Sequence, residues 1–166
     1  MSRTIRLRGT FLPEKQEIRR DPPALDNAYG HGIDIIGQVL IENGIQYFAV
    51  SNWEELAILK RLNPGCTVLL LKPITNEEIA MLKRYDNVIL GVGNMLYFRK
   101  VIDILGSKAR IALKYDTGLG RRGFLCDNNS INRICSILKK NNIRSVDVMS
   151  HLCGTYRRSD DYRQKE

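Results

Sequence analysis

Five short apolar segments alternate with segments of helical periodicity from residue 47 onward, and this alternation constrains the fold more than any other feature. The predicted strands cover residues 47–50, 67–71, 87–92, 109–116 and 146–151. The first three begin about 20 residues apart, which leaves room for one strand and one helix in each unit. Apolar strands separated by helices indicate an α/β fold in which helices cover a parallel sheet.

Two architectures fit this alternation: an open doubly wound sheet and part of a (β/α)8 barrel. A complete barrel of this kind takes about 250 residues, whereas this chain has 166. An eight-stranded barrel is therefore not expected to close. An incomplete barrel is expected to leave an edge strand uncovered, which favours association.

Local patterns predict where the helices begin and end. Ser51-x-x-Glu54 and Thr75-x-x-Glu78 are capping-box patterns, and each predicts a helix directly after a strand. An earlier helix with apolar residues at helical spacing from Ile33 is expected to end near Asn43-Gly44.

The two ends of the chain do not follow the alternation. We treat residues 1–26 as an irregular N-terminal segment, residues 27–152 as the folded unit and residues 153–166 as a polar tail. Residues 4–8 alternate as a strand does. Pro22 and Pro23 remove two backbone donors, so the stretch around them belongs in a loop or at a sheet edge.

Composition excludes several classes of function. The net charge is +8, but the basic residues are dispersed and many neighbour an acid, so we interpret them as a solvated surface and expect no nucleic-acid partner. Apolar runs of five or six residues fall far short of the roughly 20 needed to span a bilayer. With no apolar signal segment at the N-terminus, we expect a cytoplasmic protein without membrane contact. Four scattered cysteines indicate reduced thiols and no metal site.

One glycine-rich segment invites a nucleotide-binding interpretation. Gly118-Leu-Gly-Arg-Arg-Gly123 follows a predicted strand and matches G-x-G-x-x-G. A dinucleotide site requires a helix to open directly at the glycines and an acidic residue about 20 positions later. Residues 124–129 delay the next helix and residues 141–144 contain no acid, so we do not adopt this interpretation.

Strand alternation places one lysine on the inner side of the sheet. If Ile111 and Leu113 face the helices, then Ala112, Lys114 and Asp116 face inward. Lys114 then lies at the carboxyl end of its strand, where barrel enzymes build their active sites.

Three motifs in order resemble the alanine racemase family. They are Asn27-Ala-Tyr-Gly-His-Gly32, Lys114-Tyr-Asp-Thr-Gly-Leu-Gly-Arg-Arg-Gly-Phe124 and Met149-Ser-His151. The resemblance implies an α/β fold that is part of a (β/α)8 TIM-type barrel, with about five to six βα units and without the last strands and the C-terminal β-domain. It also implies pyridoxal 5′-phosphate (PLP) as cofactor and L- and D-alanine as substrates, in an enzyme that supplies cell-wall precursors.

The same resemblance assigns four cofactor-binding residues. Tyr29 corresponds to the tyrosine that donates a hydrogen bond to the cofactor phosphate, and Arg121 to the arginine that contacts the phenolic oxygen. Lys114 corresponds to a lysine that is often carbamylated and orients that arginine. His151 corresponds to the histidine that packs on the pyridine ring.

In the family, the lysine that forms a Schiff base with the cofactor lies two residues before the asparagine of the first motif, and in this chain that position is Leu25. A second base, a tyrosine from the C-terminal β-domain of a partner subunit, would come after residue 166. We therefore assign no catalytic residue and expect a fragment that is inactive alone. Two alternatives stay open: a PLP-binding pseudoenzyme, and an interaction module that associates with another racemase chain or forms a homo-oligomer.

Overall fold

The computed structural model describes residues 2–7, 17–19, 26–143 and 146–151. These residues form seven strands, six α-helices and two short 3-10 helices, Leu82–Arg84 and Gly106–Lys108. The strands are β1 Ser2–Leu7, β2 Glu17–Arg19, β3 Tyr47–Val50, β4 Thr67–Leu70, β5 Val88–Val92, β6 Ile111–Tyr115 and β7 Val146–His151. The helices are α1 Asp26–Tyr29, α2 Ile33–Glu42, α3 Trp53–Leu62, α4 Asn76–Met81, α5 Met95–Leu105 and α6 Asn128–Lys140. None of the helices within the described ranges is long and apolar enough to cross a membrane.

The sheet contains five parallel strands that form a half-barrel. Its order is β2-β1-β7-β6-β5-β4-β3, and each neighbouring pair from β3 to β7 is parallel. These are the five strands that the sequence predicts, which confirms the partial barrel and rejects the doubly wound alternative. Several of them are one to three residues shorter than predicted.

The two faces of the sheet have different apolar neighbours. Outward side chains, such as Ile111 and Leu113, join a large cluster with residues of α2 to α6 that include Phe98. Burying aliphatic or aromatic side chains of this size contributes about 1.5–3 kcal/mol each relative to exposure. A smaller inner cluster takes one side chain from each parallel strand: Ala49, Leu69, Ile89, Ala112 and Met149. Ala112 therefore faces inward, as strand alternation predicts.

The four helices α3 to α6 each begin with a side chain that caps the first turn. Thr75 and Glu78 form the predicted capping box of α4. The capping box predicted from Ser51 and Glu54 is wrong by one residue. Asn52 caps α3 instead, because its side-chain oxygen accepts from the Glu55 backbone N–H at 2.9 Å.

The N-terminal segment contains a strand that covers one edge of the half-barrel. β1 pairs antiparallel with β7 along six residues, from Ser2 opposite His151 to Leu7 opposite Val146, and β2 pairs with β1 on its other side. The sequence predicts an uncovered edge strand in the incomplete barrel. At β7 the edge is covered, because antiparallel pairing with β1 satisfies backbone N–H and C=O groups there. The remainder of the segment, including Pro22 and Pro23, and the predicted tail lie outside the described residues.

Replacement of Ile5 or Arg6 by proline tests whether β1 covers the β7 edge. Neighbouring residues of a strand direct their N–H groups to opposite sides, so one of the two replacements removes a hydrogen bond to β7. Amide hydrogen exchange in β7 should become about fivefold faster in that variant, since a lost hydrogen bond is worth about 1 kcal/mol. Ile5→Val, which keeps the N–H, should leave exchange unchanged. Equal β7 protection in all variants would show that β1 does not pair there.

Candidate functional site

A closed loop after β6 carries Arg121. The loop returns to the strand at Phe124, whose backbone N–H donates to the Lys114 carbonyl at 2.7 Å, while the Asp116 N–H donates to the Phe124 carbonyl at 3.0 Å. A side chain at Gly123 would lie 2.5 Å from the Asp116 nitrogen, so only glycine fits this return. Because these hydrogen bonds fix both ends of the loop, the backbone that carries Arg121 is held beside the sheet.

The Asp116 carboxylate shapes the interior of this loop. One carboxylate oxygen accepts the backbone N–H of Gly118 at 3.0 Å and that of Gly120 at 3.1 Å. Both glycines have positive φ, 111° and 67°, a conformation that side chains rarely adopt. The glycines therefore form a compact turn and do not begin a helix, since α6 starts only at Asn128.

Lys114 lies half-buried near the carboxyl end of β6, among positive charges. Burial lowers the pKa of its amine, and the guanidinium groups of Arg121 and Arg122 lower it further, partly opposed by Asp116. A larger fraction of this amine is therefore neutral at a given pH than for an ordinary lysine.

His151 ends β7, next to the strand that carries Lys114. Burial lowers the pKa of its imidazole, and nearby positive charges, including Arg121 and Lys114, lower it further. The preceding Ser150 donates to the Tyr115 carbonyl at 2.9 Å and lies 2.7 Å from the Thr117 hydroxyl. These contacts connect the end of β7 to the start of the Arg121 loop.

Tyr29 belongs to α1, which is a single left-handed turn. Its φ is 57°, and Asn27 and Ala28 before it have φ of 55° and 52°. The Tyr29 side chain is 66% exposed, whereas Ala28 is buried. The turn lies at the carboxyl end of β3, because the Asn27 N–H bonds to Glu55, whose other oxygen bonds to the residue after β3.

The structure brings three of the four predicted site residues together. At the carboxyl ends of β6 and β7, the positive charge of Arg121 acts on Lys114, and the charges of Arg121 and Lys114 act on His151. Tyr29 is at the same end of the sheet but beside β3, three strand positions from β6. Leu25 lies outside the described residues.

Sequence reasoning missed two charged residues at these positions. The positive charge of Arg122 also lowers the pKa of Lys114. The position of Arg122 next to Arg121 in the motif could have indicated this. Glu55 bonds to a residue 28 positions away, a contact that no local pattern indicates.

A second buried lysine differs from Lys114 in its partners. The Lys60 amine donates to the Cys66 carbonyl and to the Asn87 side chain, both at 2.5 Å. Cys66 directly precedes β4, and Asn87 directly precedes β5. Burial of the amine is the main reason that the pKa of Lys60 is lowered. Because its donors are used at the amino ends of the strands, we interpret Lys60 as structural.

Comparison with known proteins identifies relatives over most of the chain. The family model for the alanine racemase N-terminal domain matches residues 26–165. The alanine racemase of Methanococcus maripaludis is 31% identical over 129 residues, which cover 75% of this chain and 34% of that protein. Alanine racemase 2 of Caldanaerobacter subterraneus is 30% identical over 145 residues, 84% of this chain and 37% of that protein. The chain thus spans about a third of the length of these curated relatives.

Solved structures show the same fold. The biosynthetic alanine racemase from Pseudomonas aeruginosa superposes with a TM-score of 0.74 at 23% identity, covering 87% of this chain and 40% of that one. A histidine racemase from Leuconostoc mesenteroides superposes with a TM-score of 0.71 at 16% identity, covering 86% and 39%. With the family model matching most of its residues, the chain belongs to the alanine racemase family.

Proposed function

We propose that this chain is a PLP-binding part of an alanine racemase-type barrel and that it does not racemise alanine by itself. The observation that carries the proposal is the cluster of Lys114, Arg121 and His151 at the carboxyl ends of β6 and β7. Active sites of barrel enzymes lie at that end of the strands.

The chemistry of these residues fits PLP. Its phosphate and phenolic oxygen are acceptors that carry negative charge, and arginine and tyrosine are suitable donors to such groups. Arg121 and Tyr29 are exposed, so their donors are accessible at the carboxyl ends of the strands. When bound, PLP supplies an electron sink for chemistry at the α-carbon of an amino acid.

Each side chain has a separate part in this proposal. Arg121 binds the phenolic oxygen, Tyr29 donates to the phosphate and His151 packs on the pyridine ring. The family resemblance supports these roles, and the fixed ends of the Arg121 loop and of the left-handed turn support a preformed arrangement.

Lys114 orients Arg121 most effectively if it is carbamylated. The amine and the guanidinium both carry positive charge and repel each other. The neutral amine nitrogen can form a bond to the carbon of carbon dioxide and release a proton to solvent, giving an anionic carbamate that attracts Arg121. The lowered pKa of Lys114 favours this reaction because it enlarges the neutral fraction.

The absence of an amine at residue 25 supports the proposed inactivity. Racemisation requires groups that remove and return the α-proton of alanine. The alkyl side chain of Leu25 can neither attach the cofactor covalently nor transfer a proton.

We assign L- and D-alanine as the amino acids that the site accepts when the cofactor is bound.

The state of the cysteines supports a cytoplasmic location. Cys66, Cys126 and Cys135, the cysteines in the described part of the chain, are free. Free thiols persist in a reducing compartment.

Association with another racemase chain is the second candidate function, and one surface favours it. Ile35 and Val39 lie one helical turn apart on α2 and are 62% and 49% exposed. Neighbouring exposed apolar side chains of this kind are typical of protein contact surfaces.

Replacement of Arg121 by alanine tests the cofactor site. We expect Arg121→Ala to weaken PLP binding about tenfold, the effect of losing one charge-assisted hydrogen bond. The measurement is an absorbance titration of the purified chain with PLP. Arg133→Ala, which removes an exposed arginine from α6, should change the affinity less than twofold. Equal losses in the two variants would contradict a specific role for Arg121.

The pH dependence of Lys114 acetylation tests its electrostatic setting. Only the neutral amine reacts, and the positive charge of Arg121 lowers the pKa of Lys114. Arg121→Ala should therefore move the midpoint of acetylation, followed by mass spectrometry, to higher pH. Arg133→Ala should leave the midpoint in place. A midpoint that stays fixed or falls in Arg121→Ala would rule out this coupling.

A racemisation assay tests the proposed inactivity. With L-alanine and PLP, the chain should form no more D-alanine than a protein-free control. Borohydride reduction should trap no cofactor at residue 25, whereas Leu25→Lys should give a reduced adduct at that position. D-alanine formation by the unmodified chain alone would overturn the proposal.

A further inference from the structure

The left-handed turn α1 requires external support. Asn27, Ala28 and Tyr29 all have φ between 52° and 57°. This conformation is disfavoured for every residue with a side chain, and it rarely extends over consecutive residues. Three in a row persist only where neighbouring groups hold the backbone in place.

The carboxylate of Glu55 supplies this support from the first turn of α3. One oxygen accepts the backbone N–H of Asn27 at 2.6 Å, and the other accepts that of Ser51 at 2.7 Å. Glu55 is buried, with 4% of its surface exposed. Since Ser51 directly follows β3, one side chain joins the turn to the carboxyl end of a barrel strand.

The opposite side of the turn is also held. The Asn27 side-chain oxygen accepts the N–H of Ile33, the first residue of α2, at 2.9 Å. The Asn27 carbonyl accepts the N–H of Gly30 at 3.0 Å and that of Gly32 at 3.1 Å. Asn27 is thus fixed at its N–H by Glu55, and at its carbonyl and its side-chain oxygen by the segment that follows.

These contacts determine where the Tyr29 side chain lies. Ala28 is buried beneath the turn at 5% exposure, and Tyr29 next to it is 66% exposed. If the turn relaxed to an ordinary backbone conformation, Ala28 and Tyr29 would change direction together.

We propose that Glu55 is a positioning residue that holds the left-handed turn in the conformation that presents the Tyr29 hydroxyl to the cofactor phosphate. This inference rests on the proposed function for the phosphate contact, but the support of the turn is independent of it. Glu55 does not touch the cofactor and acts through Asn27 and Tyr29.

The geometry requires a carboxylate at this position. Both oxygens accept an N–H, so an amide would place its own N–H₂ donor against one of the two backbone donors. Glu55→Gln keeps the size of the side chain and removes one acceptor. Glu54 provides a matched control, because it is the adjacent residue in the same helical turn and is exposed.

The experiment compares PLP with pyridoxal, which lacks the phosphate, in equilibrium titrations of the full chain. Glu55→Gln should weaken PLP binding about tenfold and change pyridoxal binding less than twofold. Glu54→Gln should behave as the unmodified chain. Tyr29→Phe combined with Glu55→Gln should bind PLP no more weakly than Tyr29→Phe alone, because both changes act on one contact.

Equal losses of PLP and pyridoxal affinity, or additive losses in the double variant, would overturn the positioning role. If Glu55→Gln folds poorly, Glu55→Asp takes its place in the titrations. Glu55→Asp keeps the charge but shortens the side chain, so we expect an intermediate loss of PLP affinity.

Nuclear magnetic resonance separates this inference from the proposed function. In Glu55→Gln, the backbone amide hydrogens of Asn27 and Ser51 should exchange with solvent faster. The three-bond HN–Hα couplings of Ala28 and Tyr29 should depart from the values typical of positive φ. An unmodified chain that binds neither ligand would overturn the proposed function and the phosphate contact. Unchanged exchange and couplings in Glu55→Gln would overturn the support of the turn.

Discussion

Burial of the outward faces of five parallel strands against the helices is the constraint on which the rest of the structure depends. Ile111 and Leu113 on β6 join the large apolar cluster with the helices, so Ala112 and Lys114 between and after them face inward. Because the strands are parallel, their carboxyl ends meet along one edge. The candidate cofactor residues lie along this edge.

The fold class could be predicted largely from the sequence, because the spacing of apolar residues identifies strands and helices and their order along the chain indicates how they are arranged. The apolar strands and their spacing indicated a parallel sheet covered by helices, and the resemblance to alanine racemases selected the partial barrel over the doubly wound sheet. Alternation in β6 indicated the inward position of Lys114. The cap of α3 was displaced by one residue because Ser51 and Asn52 are both good capping residues, and tertiary contact decides between them. In the structure the Ser51 N–H bonds to Glu55, leaving Asn52 to cap the helix.

Long-range contacts were the part that sequence could not reveal. The bond between Glu55 and Asn27 spans 28 positions, and β1 pairs with a strand at the opposite end of the chain. No periodic sequence pattern indicates either contact. Both contacts satisfy backbone hydrogen-bonding groups that have no partner nearby in the sequence. The backbone of α1 was also missed, because its left-handed turn consists of ordinary residues and not of glycine.

The proposed cofactor site occurs in a chain that lacks the family's lysine at residue 25. A half-barrel holds Lys114, Arg121 and His151 close together, and a separately supported turn holds Tyr29 beside β3. Leu25 supplies no amine, so the proposed activity is binding of PLP without covalent attachment or racemisation. The strand β1 along β7 gives this half-barrel a covered edge of its own.

A crystal structure of the chain grown with PLP tests the central claim most directly. The account predicts cofactor density at the carboxyl ends of the parallel strands, with its phenolic oxygen at Arg121, its ring on His151 and no covalent bond to the protein. Density at another surface, or a covalent bond to a lysine, would contradict it.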